Sequence, residues 1–168
     1  MLLSNILGGG TSSRLFREIR DKRGLVYSVY SFSNSHISSG MLGIYAGTTK
    51  NELPVLMPVL CDEIKRICDE KITPLELHRA QTQMKSTILM AMESSSSVSE
   101  VLARQHLIYN RVIPLKEMVD NIENVTREDI LQTAQHIFSS NPSYSLVGSF
   151  DEYMDYDTLK QHLQVKNG

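Results

Sequence analysis

Five histidines, His36, His78, His106, His136 and His162, are the first residues to weigh as metal ligands or general bases. A zinc hydrolase needs two histidines on one helical turn with a carboxylate beside them. Neither His-x-x-Glu-His nor its inverse form occurs, and the histidines stand singly, as surface or structurally satisfied side chains do. There is no Gly-x-Ser-x-Gly elbow and no Walker loop, and Gly8-Gly9-Gly10 lacks the preceding strand and the spacing of a dinucleotide fingerprint. Cys61 and Cys68 fall in a segment that reads as helix, where the rise separates their Cα atoms by roughly 10 Å. That is beyond the reach of a disulfide, and the pair reads as two small buried hydrophobes. What remains is a run of cations, Arg14, Arg17, Arg20, Lys22 and Arg23, closing on Gly24 and followed by Tyr27.

The elements that carry these groups follow from periodicity. Leu2, Leu3, Ile6 and Leu7 repeat at helical spacing and Gly8-Gly9-Gly10 stops them. Ser12 or Ser13 then caps a second, short helix of about three turns, with Leu15, Phe16 and Ile19 on one face and Gly24 as its stop. Residues 26–32 and 41–48 are β-like, with a polar turn between them, and make an antiparallel hairpin. A helix over 51–69 carries the apolar stripe Leu53, Leu56, Met57, Leu60, Ile64, Ile67 and Cys68; Pro54 suits its first turn, and Pro58 kinks it or marks its true start. Thr73, Pro74 and Glu76 supply an N-cap, a first-turn proline and a capping-box acid for a helix to about Met92. The serine run 94–97 predicts a kink or short break before the apolar pattern resumes at Val98, Leu102, Leu107 and Ile108. Helices over 115–122 and 126–138, a last strand over 144–150 and a helical or frayed tail complete the chain.

This order predicts an α+β fold in which helices cover one face of a mostly antiparallel sheet. Three strands are few for so many helices. With the abrupt helical opening, that predicts one domain over 1–168 that lacks its first strand and part of its first helix. A chain of 168 residues buries about 70% of its unfolded surface. The composition, 41% hydrophobic and 21% charged with a net charge of −2, is that of an ordinary globular domain and points away from nucleic acid. No stretch approaches the ~20 apolar residues of a membrane-spanning helix.

One stretch is more specific. Residues 6–29 read Ile-Leu-Gly-Gly-Gly-Thr-Ser-Ser-Arg-Leu-Phe-Arg-Glu-Ile-Arg-Asp-Lys-Arg-Gly-Leu-Val-Tyr-Ser-Val. This resembles the second-half signature of the smaller bacterial and mitochondrial M16 metallopeptidases, which include processing peptidases and are related to pitrilysin and insulin-degrading enzyme. The likeness continues more weakly through 40–47, Thr73-Pro74-x-Glu76, Asn124-Val125-Thr126 and Val147-Gly148. The resemblance implies a half-domain of the LuxS/MPP-like metallohydrolase fold, the zinc-free C-terminal member of a pair of halves that close around an unfolded or extended peptide. It places zinc on the partner, an N-terminal half carrying His-x-x-Glu-His, and no cofactor in this chain. It leaves the compartment open among bacterial cytoplasm, periplasm and mitochondrial matrix.

By the same resemblance, Arg20 and Tyr27 match the arginine and tyrosine that reach across to the metal site. A phenol there donates a hydrogen bond to the scissile carbonyl oxygen as charge develops, worth about 3 kcal/mol. A guanidinium beside it grips peptide carbonyls with its fork of donors. On residue type alone, Tyr27 reads as a strand tyrosine packed on an apolar face and Arg20 as a solvated cation favoured by the helix dipole. Arg14, Arg17, Lys22 and Arg23 read as a solvated face. The expected function is the second half of a zinc-dependent endopeptidase, inactive alone; the alternatives are a non-catalytic M16-like partner or scaffold subunit, and an unrelated peptide-binding module. A half that ordinarily packs against another exposes apolar surface, so the isolated chain is expected to self-associate, for example as a homodimer.

Overall fold

The computed structural model describes residues 1–163; the predicted tail beyond them lies outside the described residues. Helix α1 (Leu2–Gly8) buries Leu2, Leu3, Ile6 and Leu7. A π-helical segment (Phe16–Asp21) and the hairpin β1 (Ser28–Ser35) and β2 (Gly40–Gly47) follow. Then come α2 (Leu53–Asp69), α3 (Pro74–Ala91), α4 (Ser95–Tyr109), α5 (Leu115–Glu123), α6 (Arg127–Phe138) and α7 (Tyr156–His162). The fold is α+β, a small antiparallel sheet beside many helices.

The hairpin register pairs Tyr30 with Tyr45, Phe32 with Gly43 and Val29 with Ala46. Because strand side chains alternate, Val29, Ser31, Leu42, Ile44 and Ala46 share one face, which packs toward α1 and the main core. Tyr30, Phe32 and Tyr45 share the other face and stay exposed. The helix-covered face is stitched to α1 by buried serines. Ser31 Oγ donates to the Ser4 carbonyl at 2.6 Å and lies 3.3 Å from Ser4 Oγ.

Two expectations for the sheet and the second helix need correction. No strand forms over 144–150; among the described residues the sheet has only β1 and β2. The segment keeps a strand's alternation, with Tyr144, Leu146 and Phe150 packed on a second apolar cluster around Leu53, Met57, Cys61 and Leu159. No described backbone lies alongside to complete a ladder. The second helix is mostly π-wound, with Lys22 N–H donating to the Arg17 carbonyl five residues back at 3.0 Å. Ser13 does not cap it; its hydroxyl donates to the Gly10 carbonyl at 2.6 Å. The wider winding still seats Leu15 and Ile19 fully in the core.

The remaining helices form where their signals lie. Every residue of the predicted α2 stripe is buried. Pro54 sits in its first turn and the helix runs on through Pro58, so Pro58 is not its start. The only bond the missing Pro58 N–H removes is to the Pro54 carbonyl, inside that same first turn. Met92–Ser94 break α3 from α4, and the Ser94 hydroxyl accepts from Ser97 N–H. Thr126 and Asp129 form a second capping box, on α6. Gln135 Nε2 donates to the Cys68 carbonyl at 2.8 Å, and Gln81 Nε2 donates to the Ile122 carbonyl at 3.0 Å, tying α6 to α2 and α3 to α5.

Arg14 is not part of a solvated face. Its Nε and Nη2 donate to the two carboxylate oxygens of Glu76 at 2.7 and 3.2 Å, with only 13% of its side chain exposed. Glu76 also accepts from Thr73 N–H at 2.7 Å as the capping-box acid. Burial pushes the Glu76 carboxyl up, but Arg14 and Thr73 together outweigh it and bring it down to about 2. A carboxyl depressed below its ordinary 4.5 stabilises the fold above that pH, and the contribution fades as pH falls from 4.5 toward 2. Urea titration of Glu76→Ala is therefore expected to show a loss of about 2 kcal/mol at neutral pH. The gap between variant and parent should close on acidification through that window; a gap independent of pH contradicts the assignment.

Candidate functional site

The site is built around the way the π-helical segment ends. Gly24 sits at φ 65°, a left-handed conformation that glycine adopts without strain. Its N–H donates to the Arg20 carbonyl at 3.0 Å, and the next N–H, of Leu25, reaches back to the Ile19 carbonyl at 3.0 Å. These nested bonds form a Schellman-like cap widened by one residue, in keeping with the π winding before it. Leu25 and Val26 enter the core, Tyr27 N–H donates to the Gly47 carbonyl at 2.8 Å, and Thr48 Oγ1 donates to the Leu25 carbonyl at 2.6 Å. The turn is thus clamped to the open end of the hairpin.

Arg20 and Tyr27 flank this turn and both are exposed, Tyr27 to 86%. Tyr27 is not packed on an apolar face. No hydrogen bond joins the two side chains, so each is free to engage a third group. The cations around Arg20 are differently placed. Lys22 Nζ and Arg23 Nη1 both bond the Glu18 carboxylate, and Lys22 above all holds that carboxyl below its usual range. Arg14 is taken by Glu76. Among the described residues neither Arg17 nor Arg20 has a carboxylate partner, and the Arg20 guanidinium lies 4.9 Å from the centroid of the Phe16 ring.

Two features went unread in the sequence. A shallow groove of about 410 Å³ runs between Gly8-Gly9-Gly10 and β1, with Phe16, Val29 and Tyr30 in its walls. Gly8 there serves packing: a Cβ on it would lie 2.4 Å from Ser31 N and 2.9 Å from the Tyr30 carbonyl carbon. The other feature is the aromatic row on the open hairpin face, where Tyr30 stacks on Tyr45 at 5.0 Å between centroids and the Phe32 ring lies over Gly43. Alternation in residues 30–34 and 41–45 carried that signal, but only the pairing register makes it one row. The thiols play no part: burial pushes Cys61 and Cys68 up to about 11.

The family model described as the peptidase M16 inactive domain matches residues 1–84, half of the chain. The chain belongs to the peptidase M16 inactive-domain family. An uncharacterized zinc protease of Rickettsia bellii is 40% identical over 147 residues, 88% of this chain and 35% of that protein. The uncharacterized zinc protease YmxG of Bacillus subtilis is 33% identical over 147 residues, 88% of this chain and 36% of that protein. A peptidase M16 inactive domain from Pseudomonas fluorescens superposes at a TM-score of 0.72 with 23% identity, covering 80% of this chain and 32% of that one, which supports the fold. This M16 domain spans about a third of the length of the relatives it matches.

Among the described residues there is no group of three or more His, Cys, Asp or Glu side chains able to hold a metal ion, and no helix long and apolar enough to cross a membrane. The residues present do not fit a resident zinc.

Gly8→Ala is expected to destabilise the M16 domain by about 3 kcal/mol, because the new methyl meets strand backbone and not a side chain that can swing away. Thermal unfolding monitored by circular dichroism checks this; an unchanged midpoint contradicts the close helix–strand approach.

Proposed function

We propose that this M16 domain is the second, zinc-free half of a zinc-dependent endopeptidase, supplying peptide-binding and transition-state-stabilising groups to a metal site carried by a separate N-terminal half with His-x-x-Glu-His. The observation that carries this reading is the availability of Arg20 and Tyr27; of the five cations in residues 14–23, only Arg17 is likewise without a carboxylate partner among the described residues. Both face solvent beside the Gly24 turn, while Arg14, Lys22 and Arg23 are committed to carboxylates. The relatives named zinc proteases support a proteolytic setting with zinc in the family.

In this reading the substrate is an unfolded or extended peptide. The Tyr27 hydroxyl donates to the scissile carbonyl oxygen, a bond that strengthens as negative charge builds there. Arg20 grips peptide carbonyls through its N–H fork in ground and transition states alike, which sets affinity more than turnover. Neither residue is a nucleophile, so the chain alone is inactive.

Assembled with its zinc-bearing half, Tyr27→Phe should cut kcat about 100-fold with KM nearly unchanged, the loss expected for one oxyanion donor. Arg20→Ala should raise KM. Cleavage by both variants at the parent rate would remove the catalytic contribution and leave a non-catalytic partner or scaffold role.

The apolar surface left open supports a partner as well. Tyr30, Phe32 and Tyr45 line the free hairpin face, and α4 exposes Leu102, Leu107, Ile108 and Tyr109 while burying only Gln105. Without the other half, the chain is expected to self-associate in sedimentation velocity; a clean monomer at high concentration contradicts a covered apolar surface.

A further inference from the structure

Phe16 opens the π-helical segment and Arg20 lies near its end, one helical turn further on. The guanidinium sits 4.9 Å from the ring centroid, inside the range of a cation–π contact. The ring itself is held: Phe16 is partly buried, packed against the main core cluster, and lines the groove below Gly8-Gly9-Gly10. The two Glu18 carboxylate oxygens are occupied by Lys22 and Arg23, and Arg20 has no carboxylate partner among the described residues. Arg23 Nη1 also donates to the Glu18 carbonyl at 2.7 Å, which fixes that arrangement.

We infer that Phe16 is a positioning residue for Arg20, holding the guanidinium against an anchored ring so that its N–H donors meet a peptide carbonyl already oriented. The inference rests on the carbonyl-gripping role proposed for Arg20. An exposed arginine that rotates freely loses side-chain entropy when it binds, and prior stacking removes part of that loss. Unlike a carboxylate, the ring attracts the cation without occupying its fork of donors. A salt bridge at the same place would tether Arg20 and consume the hydrogen bonds the substrate needs. Phe16 itself touches no reacting atom.

The test uses the assembled two-half enzyme with a series of phenylalanines at position 16 carrying increasing numbers of ring fluorines, which weaken the ring's negative face and keep its shape. KM should rise stepwise along the series to about fivefold, the loss of a cation–π contact of this exposure, with kcat little changed. Phe16→Leu should match the end of the series and Phe16→Trp should retain the parent KM. In the Arg20→Ala background the whole series should be flat. If Arg20→Ala raises KM but fluorination does not, or if the two effects add independently, the positioning role of Phe16 is overturned while Arg20 keeps its own. If Arg20→Ala leaves KM unchanged, the reading of Arg20 fails and the role of Phe16 fails with it.

Discussion

The placement of the candidate site depends on how the π-helical segment is closed. A helix ending in the ordinary way would return its last N–H groups to carbonyls one position later, and the following residues would leave at a different angle. Here Gly24 turns left-handed, its N–H and that of Leu25 reach back to Arg20 and Ile19, and the chain enters the core at Leu25 and Val26 before meeting β2 at Tyr27. A residue with a Cβ at position 24 would carry the cost of φ 65°, on the order of 1 kcal/mol. The open end of the hairpin is therefore fixed to the end of the helix by backbone bonds, leaving both flanking side chains unencumbered.

Electrostatics then sorts Arg14, Arg20, Lys22 and Arg23 into different tasks. Arg14 is bound in two places by a carboxylate that is also a helix cap, a partly buried arrangement that makes it structural. Lys22 and Arg23 share Glu18 at the surface, where each ion pair contributes less than about 1 kcal/mol. Arg20 is left with an aromatic ring, a neighbour that attracts its charge and leaves its donors available.

The small sheet places a second demand on the fold. One face of the hairpin is joined to α1 at near-contact distance through Gly8 and the Ser4–Ser31 bonds. The other face offers stacked tyrosines to solvent, and α4 is apolar on a side that nothing described covers. Both surfaces expose apolar side chains side by side.

Local signals were legible wherever the interaction they encode spans only a few residues. The Thr73–Glu76 box, the α2 stripe, the break at Ser94 and the left-handed Gly24 all follow from residue type and spacing, since caps and amphipathic faces are decided within a turn or two. The motif around residues 6–29 located the candidate residues and the family. What the sequence alone did not decide were outcomes set by distant backbone. Residues 144–150 have a strand's alternation but no neighbour to pair with, and the second helix takes π winding to seat Leu15 and Ile19 while reaching its cap. Which arginine is structural and which is available was equally unreadable in one dimension. Arg14 and Arg20 differ because Glu76, far along the chain, folds back onto one and not the other, and ion pairing depends on distance in space, which only the packed tertiary structure fixes.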